Sequence, residues 1–405
     1  MTIIQDARML RFRPAILVAL IFSAALYGIS NTTTVHAAGL TGSFVSSPQF
    51  VLAGGNDSFT GTASGGTTPY KFNWTFGDGP LIANGSFVTH IFAIAANYMV
   101  KLNITDSTST KITITNTITV HGSPLNIDGW LVNWNITDHH GVEIYNTTYN
   151  GIPTIRDALI NGVSVVYFQQ PPGLPSCLFF DDLGHDDLTA SIAGFTVQSS
   201  TDPSNPWFQI RAGYNPSQVG YNYTQFWRFY TSGEWDATLY VGHLGCGWNH
   251  NYQPHFRIDL AVGNKNRDIM SQYTPASAWQ NLIWEGNYTD NGFRDGAHNA
   301  TQWRFGDGVG YYYIVPKVSP YAGDMPKIAP KIYLVKDRPG ELEPDINPPA
   351  TPPDPINFVN GELAYRQNIA FWYLPTFGDH WLYSVGQTPI GSPSIVSLSF
   401  YPSKI

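Results

Sequence analysis

The segment from Gln218 to Asp259 reads QVGYNYTQFWRFYTSGEWDATLYVGHLGCGWNHNYQPHFRID and carries the densest pattern in the chain. Its centre is rich in aromatic residues, which favour β-strands. Tyrosines precede this aromatic strand, and His243, His250 and His255 follow it closely. Imidazole is a good ligand for copper, so tyrosines near a histidine cluster suggest redox chemistry at a metal. A buried strand followed by a polar loop is the alternative.

The overall composition indicates an all-β protein. The chain has 405 residues, of which 12% are charged and 14% aromatic, with 38 glycines and 29 prolines. This length suits two or three domains, and the composition is typical of short strands joined by tight turns. The net charge of −8 argues against a nucleic-acid partner, because phosphate binding needs a basic face.

Residues 1–37 have the layout of a secretory signal peptide. Three arginines precede the apolar core Ala15–Ile29, and Val35 and Ala37 place small residues at positions −3 and −1 of a cleavage site. The core is short for a membrane span, so release is favoured over retention as an anchor. We expect an extracellular or cell-surface protein.

Glycosylation triplets and two cysteines fit export. Asn-X-Ser/Thr triplets begin at Asn31, Asn56, Asn73, Asn84, Asn103, Asn135, Asn146, Asn222, Asn287 and Asn299. Outside the cell a lone cysteine pair usually forms a disulfide. We therefore expect Cys177 and Cys246 to close a loop of about 69 residues, which would stabilise the fold by about 4 kcal/mol.

The segment from residue 39 to residue 121 contains two short motifs with turn residues between them. One reads GTASGGTTPYKFNWTFGDG and the other VTHIFAIAANYMVKLNITDS. The pattern W-x-F-G-D-G followed by H-x-F and Y-x-V-x-L resembles a PKD domain, an immunoglobulin-like β-sandwich of extracellular proteins. The resemblance implies a spacer or adhesion module with cell-surface contacts, in which Asp78 is a turn residue and His90 is structural.

Residues 124–405 form a second region with many short apolar strands and no long segment of helical period. We expect a large β-sandwich here. The run EPDINPPATPPDP at residues 343–355 is too rich in proline for regular structure. It either separates two domains or is an excursion within one, and the small size of the segment after it favours the excursion.

Three separated stretches of this region resemble copper amine oxidases, the topaquinone enzymes. The first, GVEIYNTTYNGIPTIRDALINGVSVVYF, resembles the family's stretch that ends in an active-site tyrosine, here Tyr167. FFDDLGHDD follows and resembles the segment of the catalytic base. The base falls on Asp182, with Asp181 next best. The acidic run can also be read as a solvated loop or a calcium site built from oxygen ligands.

The second and third stretches supply the quinone and the metal ligands that the resemblance implies. GYNYTQFWRFYTSG is similar to the family's N-Y-[DE] followed by an aromatic strand, which places the topaquinone precursor at Tyr221, with Tyr223 as its rival. LAYRQNIAFWYLPTFGDHW resembles the strand of the third copper histidine, here His380. Gly220 and Asn222 depart from the family's pattern.

The first two copper ligands of the family form H-x-H, so that both side chains share one face of a strand. Alignment on R-I-D gives His250 the first place and Tyr252 the second. His255 would serve if Pro254 marked a bulge that turned it inward. We expect copper to be held by His250, His255 and His380, with Tyr252 as the alternative to His255 and His243 as an outside candidate.

The resemblance implies oxidative deamination of primary amines with O₂, by copper and a topaquinone made from Tyr221. Asp182 would be the base, with a pKa raised by burial, and Tyr167 would hold the quinone ring. Calcium is a further expected cofactor. Members of the family are commonly dimeric, so the resemblance also implies a homodimer. The alternative is a surface protein without catalysis, or one that only binds copper, that keeps the amine oxidase fold.

Overall fold

The computed structural model describes residues 39–47, 51–80, 82–137, 141–169, 183–186, 195–200, 202–214, 223–242, 248–263, 266–318, 330–338, 355–378 and 394–403. Strands and turns dominate these ranges, with one short 3₁₀ helix at Pro355–Phe358. No helix within them is long and apolar enough to cross a membrane. The predicted signal peptide and both cysteines lie outside the described residues.

Among the residues described up to 121, the first β-sandwich has eight strands that form two sheets. The strands are β1 (Thr41–Ser47), β2 (Val51–Leu52), β3 (Asp57–Ser64), β4 (Lys71–Thr75), β5 (Ile82–Asn84), β6 (Phe87–His90), β7 (Asn97–Thr105) and β8 (Lys111–His121). One sheet has the order β1-β3-β6 and the other β2-β8-β7-β4-β5. Every second residue of β7, such as Val100, Leu102 and Ile104, is buried in the core, because successive side chains of a strand point to opposite faces.

The W-x-F-G-D-G and H-x-F motifs meet in this sandwich. Trp74, Phe76 and Phe92 are buried in one core cluster. The ring of His90 stacks on Phe76 at 3.8 Å between centroids, and its Nε2 donates to Asp78 Oδ2 at 2.7 Å. Both polar residues therefore have a packing and turn role.

Asp57 is a buried carboxyl at the start of β3, and burial removes its side chain from water, which disfavours the charged form. The residue is 2% exposed and its Oδ2 has no hydrogen-bond partner in the described chain. Burial raises the pKa of Asp57 from 3.8 to about 7. The folded state therefore binds this proton more tightly than the unfolded state, and stability falls as the pH rises from about 4 to about 7.

We expect the first sandwich to lose roughly 2 kcal/mol of stability between pH 5 and pH 8, and Asp57→Asn to remove this pH dependence. The amide replaces the carboxyl at nearly the same volume but does not ionise. Hydrogen exchange of the β3 and β7 amides at both pH values, corrected for intrinsic rates, measures the effect. If the stability of Asp57→Asn changed with pH as steeply as that of the wild type, the pH dependence would belong to other groups.

In the described ranges after residue 121, the second β-sandwich contains nineteen strands. They are β9 (Leu125–Ile127), β10 (Trp130–Thr137), β11 (Gly141–Tyr149), β12 (Ile152–Gln169), β13 (Leu183–Asp186), β14 (Phe195–Ser199), β15 (Trp207–Tyr214), β16 (Tyr223–Tyr230), β17 (Trp235–Val241), β18 (Trp248–Leu260), β19 (Ile269–Tyr273), β20 (Trp279–Asn281), β21 (Gly286–Thr289), β22 (Trp303–Gly306), β23 (Tyr311–Val318), β24 (Lys331–Lys336), β25 (Ile369–Leu374), β26 (Phe377–Gly378) and β27 (Ser394–Pro402). The all-β prediction is confirmed.

These strands pair into a ten-stranded and a nine-stranded sheet. The first has the order β21-β24-β25-β18-β12-β11-β10-β9, with β13 beside β12 and β26 beside β18. The second has the order β14-β15-β16-β17-β27-β23-β22-β19-β20. The strands after residue 355 belong to these same two sheets, as an excursion at residues 343–355 requires. The proline-rich run itself lies outside the described residues, and the domain boundaries stay predictions.

The main hydrophobic core fills the space between the two sheets. In β16, Trp227 and Phe229 are fully buried in it, whereas Arg228 and Tyr230 are half-buried on the opposite face. The same alternation in β18 sends Phe256 and every second residue toward Leu260 into the core. The period of two therefore decides which side chains of each strand face the core.

Candidate functional site

The long antiparallel pair β12–β18 brings two of the predicted site positions together. Its register runs from Ile155 opposite Leu260 to Gln169 opposite Trp248, and within it Tyr167 stands directly opposite His250. Residues directly opposite each other in an antiparallel pair have their Cα atoms about 4.5–5.5 Å apart. The backbone positions of the candidate tyrosine and of the first candidate ligand are therefore adjacent, although 83 residues separate them in the sequence.

The candidate base lies beside the same place in the chain. Asp182 itself is outside the described residues, but Leu183, which follows it, pairs with Val166, which precedes Tyr167. β12 thus has β18 on one side and β13 on the other at this end. The sequence neighbours of Asp182, Tyr167 and His250 share one corner of the ten-stranded sheet.

The third family-like stretch forms β25 and β26, which lie on the side of β18 that faces away from β12. β25 and β26 both pair with β18, and Gly378 stands opposite Asn251. His380 follows Gly378 by two residues in the sequence and lies outside the described residues. Tyr221, Asp181 and His243 also lie outside them.

The bulge predicted at Pro254 occurs on the neighbouring strand. Ile160 pairs with Phe256 and Val163 pairs with Pro254, so Asn161 and Gly162 together face a single residue of β18. The extra residue belongs to β12, where Gly162 has a positive φ of 98°. β18 keeps its alternation past the proline.

His255 is the residue that faces this bulge, and it lies on the outer side of the ten-stranded sheet. It is 2% exposed, and its Nε2 is 3.0 Å from Ser164 Oγ. Its ring stands edge-on to Trp372 at 6.5 Å between centroids. Trp372 belongs to a small hydrophobic cluster with Tyr333 and Leu374 that is separate from the main core.

Tyr252 and Tyr223 lie on the other side, in the main core. Tyr252 is fully buried and stacks on Phe377 with ring centroids 5.4 Å apart. Tyr223, the rival of Tyr221 as quinone precursor, is fully buried at the start of β16. Of the two alternatives for the second copper ligand, Tyr252 faces the inter-sheet core and His255 faces away from it.

Among the described residues, no group of three or more His, Cys, Asp or Glu side chains is arranged to hold a metal ion. The His255 side chain is described, the backbone of His250 is described without its side chain, and His380 is not described.

A buried charged network occupies the opposite end of the β12–β18 pair. Arg156 Nη1 donates to Asp259 Oδ1 at 2.5 Å, and its two terminal nitrogens donate to the carboxylate of Asp268 at 3.0 Å. Arg257 Nη1 donates to Asp157 Oδ2 at 2.6 Å. Arg257 and Asp259 alternate with the core residues of β18 and point to the outer face of the sheet. Arg156 and Asp157 are consecutive residues at a register shift in β12, and Asp268 lies in an isolated bridge.

Burial governs the titration of these carboxyls. It raises the pKa of Asp259 to about 7, although Arg156 favours the charged form. Burial likewise raises the pKa of Asp157 to about 7, against the pull of Arg257 and with a further contribution from nearby Glu143. Sequence reasoning did not identify this network. The alternation of charged and apolar residues in R-I-D was the signal for it, but nothing in the sequence identifies the partner strand.

Comparison with known proteins identifies both parts of the fold. Residues 46–120 match the PKD domain model. A copper-containing benzylamine oxidase from Hansenula polymorpha is similar in structure over 89% of this chain and 77% of its own, with a TM-score of 0.50 and 10% sequence identity. Lysyl oxidase from Pichia pastoris covers 89% of this chain and 69% of its own, at a TM-score of 0.46 and 12% identity. An amine oxidase from Aspergillus nidulans covers 90% of this chain and 68% of its own, with a TM-score of 0.43 and 10% sequence identity.

The chain therefore consists of a PKD domain followed by a β-sandwich that has the fold of copper amine oxidases, as the sequence motifs predict. At this level of identity the likeness concerns the fold alone. A comparison with curated proteins gave no match.

Proposed function

We propose that this protein is an exported copper amine oxidase-like enzyme. It would convert a primary amine R–CH₂–NH₂ with O₂ and water into the aldehyde R–CHO, ammonia and hydrogen peroxide. The observation that carries the proposal is the meeting of the first and third family-like stretches with the histidine-bearing strand β18, with Tyr167 opposite His250 and the neighbour of Asp182 beside them. The benzylamine oxidase with the same fold supports the choice of reaction.

The proposal gives a separate chemical role to each of three residues of the chain, Tyr221, Asp182 and Tyr167. Bound copper with O₂ would supply the oxidising chemistry that turns Tyr221 into a quinone, and the quinone would supply an electrophilic carbonyl for the amine. Asp182 takes the α-proton of the bound amine, and burial would raise its pKa into the range that suits a general base. Tyr167 donates a hydrogen bond that fixes the orientation of the modified ring.

The positions of Tyr252 and His255 support one of the two alternatives for the second ligand. Tyr252 lies on the core side of β18 and is two residues from His250 in the sequence, which is the spacing that H-x-H uses. His255 would have to leave Ser164 and cross the sheet to reach the same side. We therefore assign the second position to Tyr252, with His250 and His380 as the two histidines that would hold the metal.

A quinone stain tests the proposal directly. We expect the mature chain, loaded with Cu(II) in air, to develop a visible absorption band and to react with a hydrazine. Tyr221→Phe should abolish both while leaving the circular dichroism unchanged, and Tyr223→Phe should retain them. A wild-type chain that binds copper but never gains the band would refute the quinone. A band that persists in Tyr221→Phe would assign the cofactor to another residue.

A surface protein that keeps the fold without catalysis is the second candidate, and a specific observation favours it. The position of the second histidine ligand is occupied by a tyrosine, Tyr252, that packs as a core residue on Phe377, and His255 faces away. This candidate predicts that the wild-type chain folds equally well with and without copper and produces no peroxide from any primary amine. In that case the PKD domain would supply the function through cell-surface contacts.

A further inference from the structure

The outer face of the nine-stranded sheet is aromatic and locally basic, although the chain as a whole carries a net charge of −8. Successive side chains of a strand point to opposite faces of the sheet, so the charged residues next to core residues in these strands lie on the outer face. Within the described strands, the charged side chains on this face are Arg211, Arg228, Arg304, Lys317 and Asp236. Two further carboxylates border it, Asp295 at Trp279 and Glu234, whose charge interacts with that of Lys317. Four cations and three carboxylates leave this face with a net charge of +1, against −8 for the molecule as a whole.

Arg304 is the most unusual of these cations. Its guanidinium carbon lies 4.0 Å from the ring centre of Tyr311 and 4.6 Å from that of Trp279, so two rings hold it in place. No carboxylate of the described chain lies within ion-pair distance of it, and its buried Nε has no hydrogen-bond partner there. Arginine in proteins is always charged and presents a planar fork that matches carboxylates. Arg304 is therefore pre-organised for an acidic group that the described chain does not supply.

Aromatic and polar groups continue from Arg304 across three strands. Tyr313 stands directly opposite Arg304, and Tyr401 stands directly opposite Tyr313. Lys317 Nζ donates to the Tyr401 hydroxyl at 3.1 Å. We call Trp279, Arg304, Tyr313, Tyr401 and Lys317 the Arg304 row. It carries a cation at each end of its aromatic centre.

A surface turn orders one edge of the row. Asp295 Oδ2 accepts from His298 Nδ1 at 2.7 Å and from Trp279 Nε1 at 3.1 Å. His298 stacks on Tyr313 at 4.0 Å between ring centroids, with 42% of its side chain exposed. One carboxylate thus fixes an indole and an imidazole beside Arg304, which reduces the entropy cost of binding a ligand there.

We propose that the Arg304 row binds an acidic polysaccharide built from uronate sugars. The flat, apolar C–H face of a pyranose ring packs on an aromatic side chain, and a uronate adds a carboxylate at the rim of the same ring. A site for such a chain needs aromatic platforms beside cations whose geometry is fixed. The half-buried rings of Trp279 and Tyr401 are the platforms of this row, whereas Tyr313 is buried beneath His298. The proposal goes beyond the amine oxidase activity and does not depend on it.

The test uses the full mature chain and defined oligosaccharides. Isothermal titration with oligogalacturonate should show saturable binding, and the uncharged methyl ester of the same oligosaccharide should bind roughly tenfold more weakly or worse. Arg304→Gln should lose roughly tenfold in affinity for the acid and much less for the ester. Arg304→Lys, which keeps the charge but not the fork, should lie between the wild type and Arg304→Gln.

Arg294→Gln is the matched control, because Arg294 is a nearby exposed arginine whose guanidinium is already bonded to Asp290 at 2.9 and 2.6 Å. It should bind like the wild type. Three results would overturn the proposal: no binding at millimolar ligand, equal binding of acid and ester, or unchanged affinity in a folded Arg304→Gln chain. Equally tight, Arg304-dependent binding of single-stranded DNA would also overturn it, because the row would then recognise polyanions in general.

Discussion

Replacing His250 with alanine should weaken Cu(II) binding by at least about 100-fold, whereas His255→Ala should change it by no more than about twofold. The expected loss exceeds the 10–100-fold that removal of a supporting partner costs at a metal site. His250 stands opposite Tyr167 and two residues from the core-facing Tyr252. His255 lies on the other face of the same sheet against Ser164 and Trp372. Only the first of these two histidines would be a ligand.

Competition titration with a chelator of known affinity measures both variants, and the copper electron paramagnetic resonance spectrum reports the ligand set independently of activity. Tyr252→Phe is the third variant in the series. If Tyr252 occupies the second position, its hyperfine pattern should change even if some affinity remains. A large loss in His255→Ala together with an unchanged His250→Ala would reverse the assignment. Equal, small effects in all variants would remove this corner of the sheet as a copper site.

The sequence predicts much of the fold because period-two alternation is strong in it. The residues that fill the core from β16 can be read from the order of aromatic and polar residues in QFWRFY, and the structure buries Trp227 and Phe229 accordingly. The PKD motifs also predict their own packing, since Phe76, Asp78 and His90 contact one another as turn and core residues. Local pattern is sufficient at these positions.

Register and bulges depend on contacts between distant segments, and the sequence specifies them poorly. The proline at 254 suggests a bulge in its own strand, but the extra residue is in β12, where Gly162 tolerates the positive φ. One shifted residue decides which face of a strand a side chain occupies. The choice between Tyr252 and His255 could therefore not be made from spacing alone. The pairing of Arg156 with Asp268, 112 residues apart, is equally invisible in the sequence.

Arg156→Met should destabilise the second sandwich by about 3–5 kcal/mol at pH 8, which is the usual result of removing one partner from a buried ion pair. Methionine fills much of the same space, so the loss is electrostatic. Asp259 and Asp268 would be left in a buried site without the guanidinium that bonds to both, so at pH 8 the folded chain must either bury their charges unpaired or take up protons that the solution does not favour. Urea denaturation followed by tryptophan fluorescence measures the change in the free energy of unfolding.

The pH dependence separates this cause from lost packing. Burial already raises the pKa of Asp259 to about 7 and raises that of Asp268, and removal of Arg156 raises both further. The folded variant then binds protons more tightly than the unfolded chain. Its deficit relative to the wild type should be largest above the raised pKa values of the variant, shrink as the pH falls through them, and stay constant below the folded pKa values of the wild type, because the unfolded pKa is the same in both chains.

Two further variants complete the comparison. Arg294→Met, at an exposed pair with Asp290, should cost less than about 0.5 kcal/mol at either pH. Adding Asp268→Asn to Arg156→Met should recover part of the lost stability, because the double variant buries one charge fewer than Arg156→Met alone. A deficit that is equal at pH 8 and pH 5.5, with no recovery in the double variant, would mean that Arg156 stabilises the sandwich by the packing of its side chain. The network would then be a hydrophobic support for β12 and β18 and not an electrostatic one.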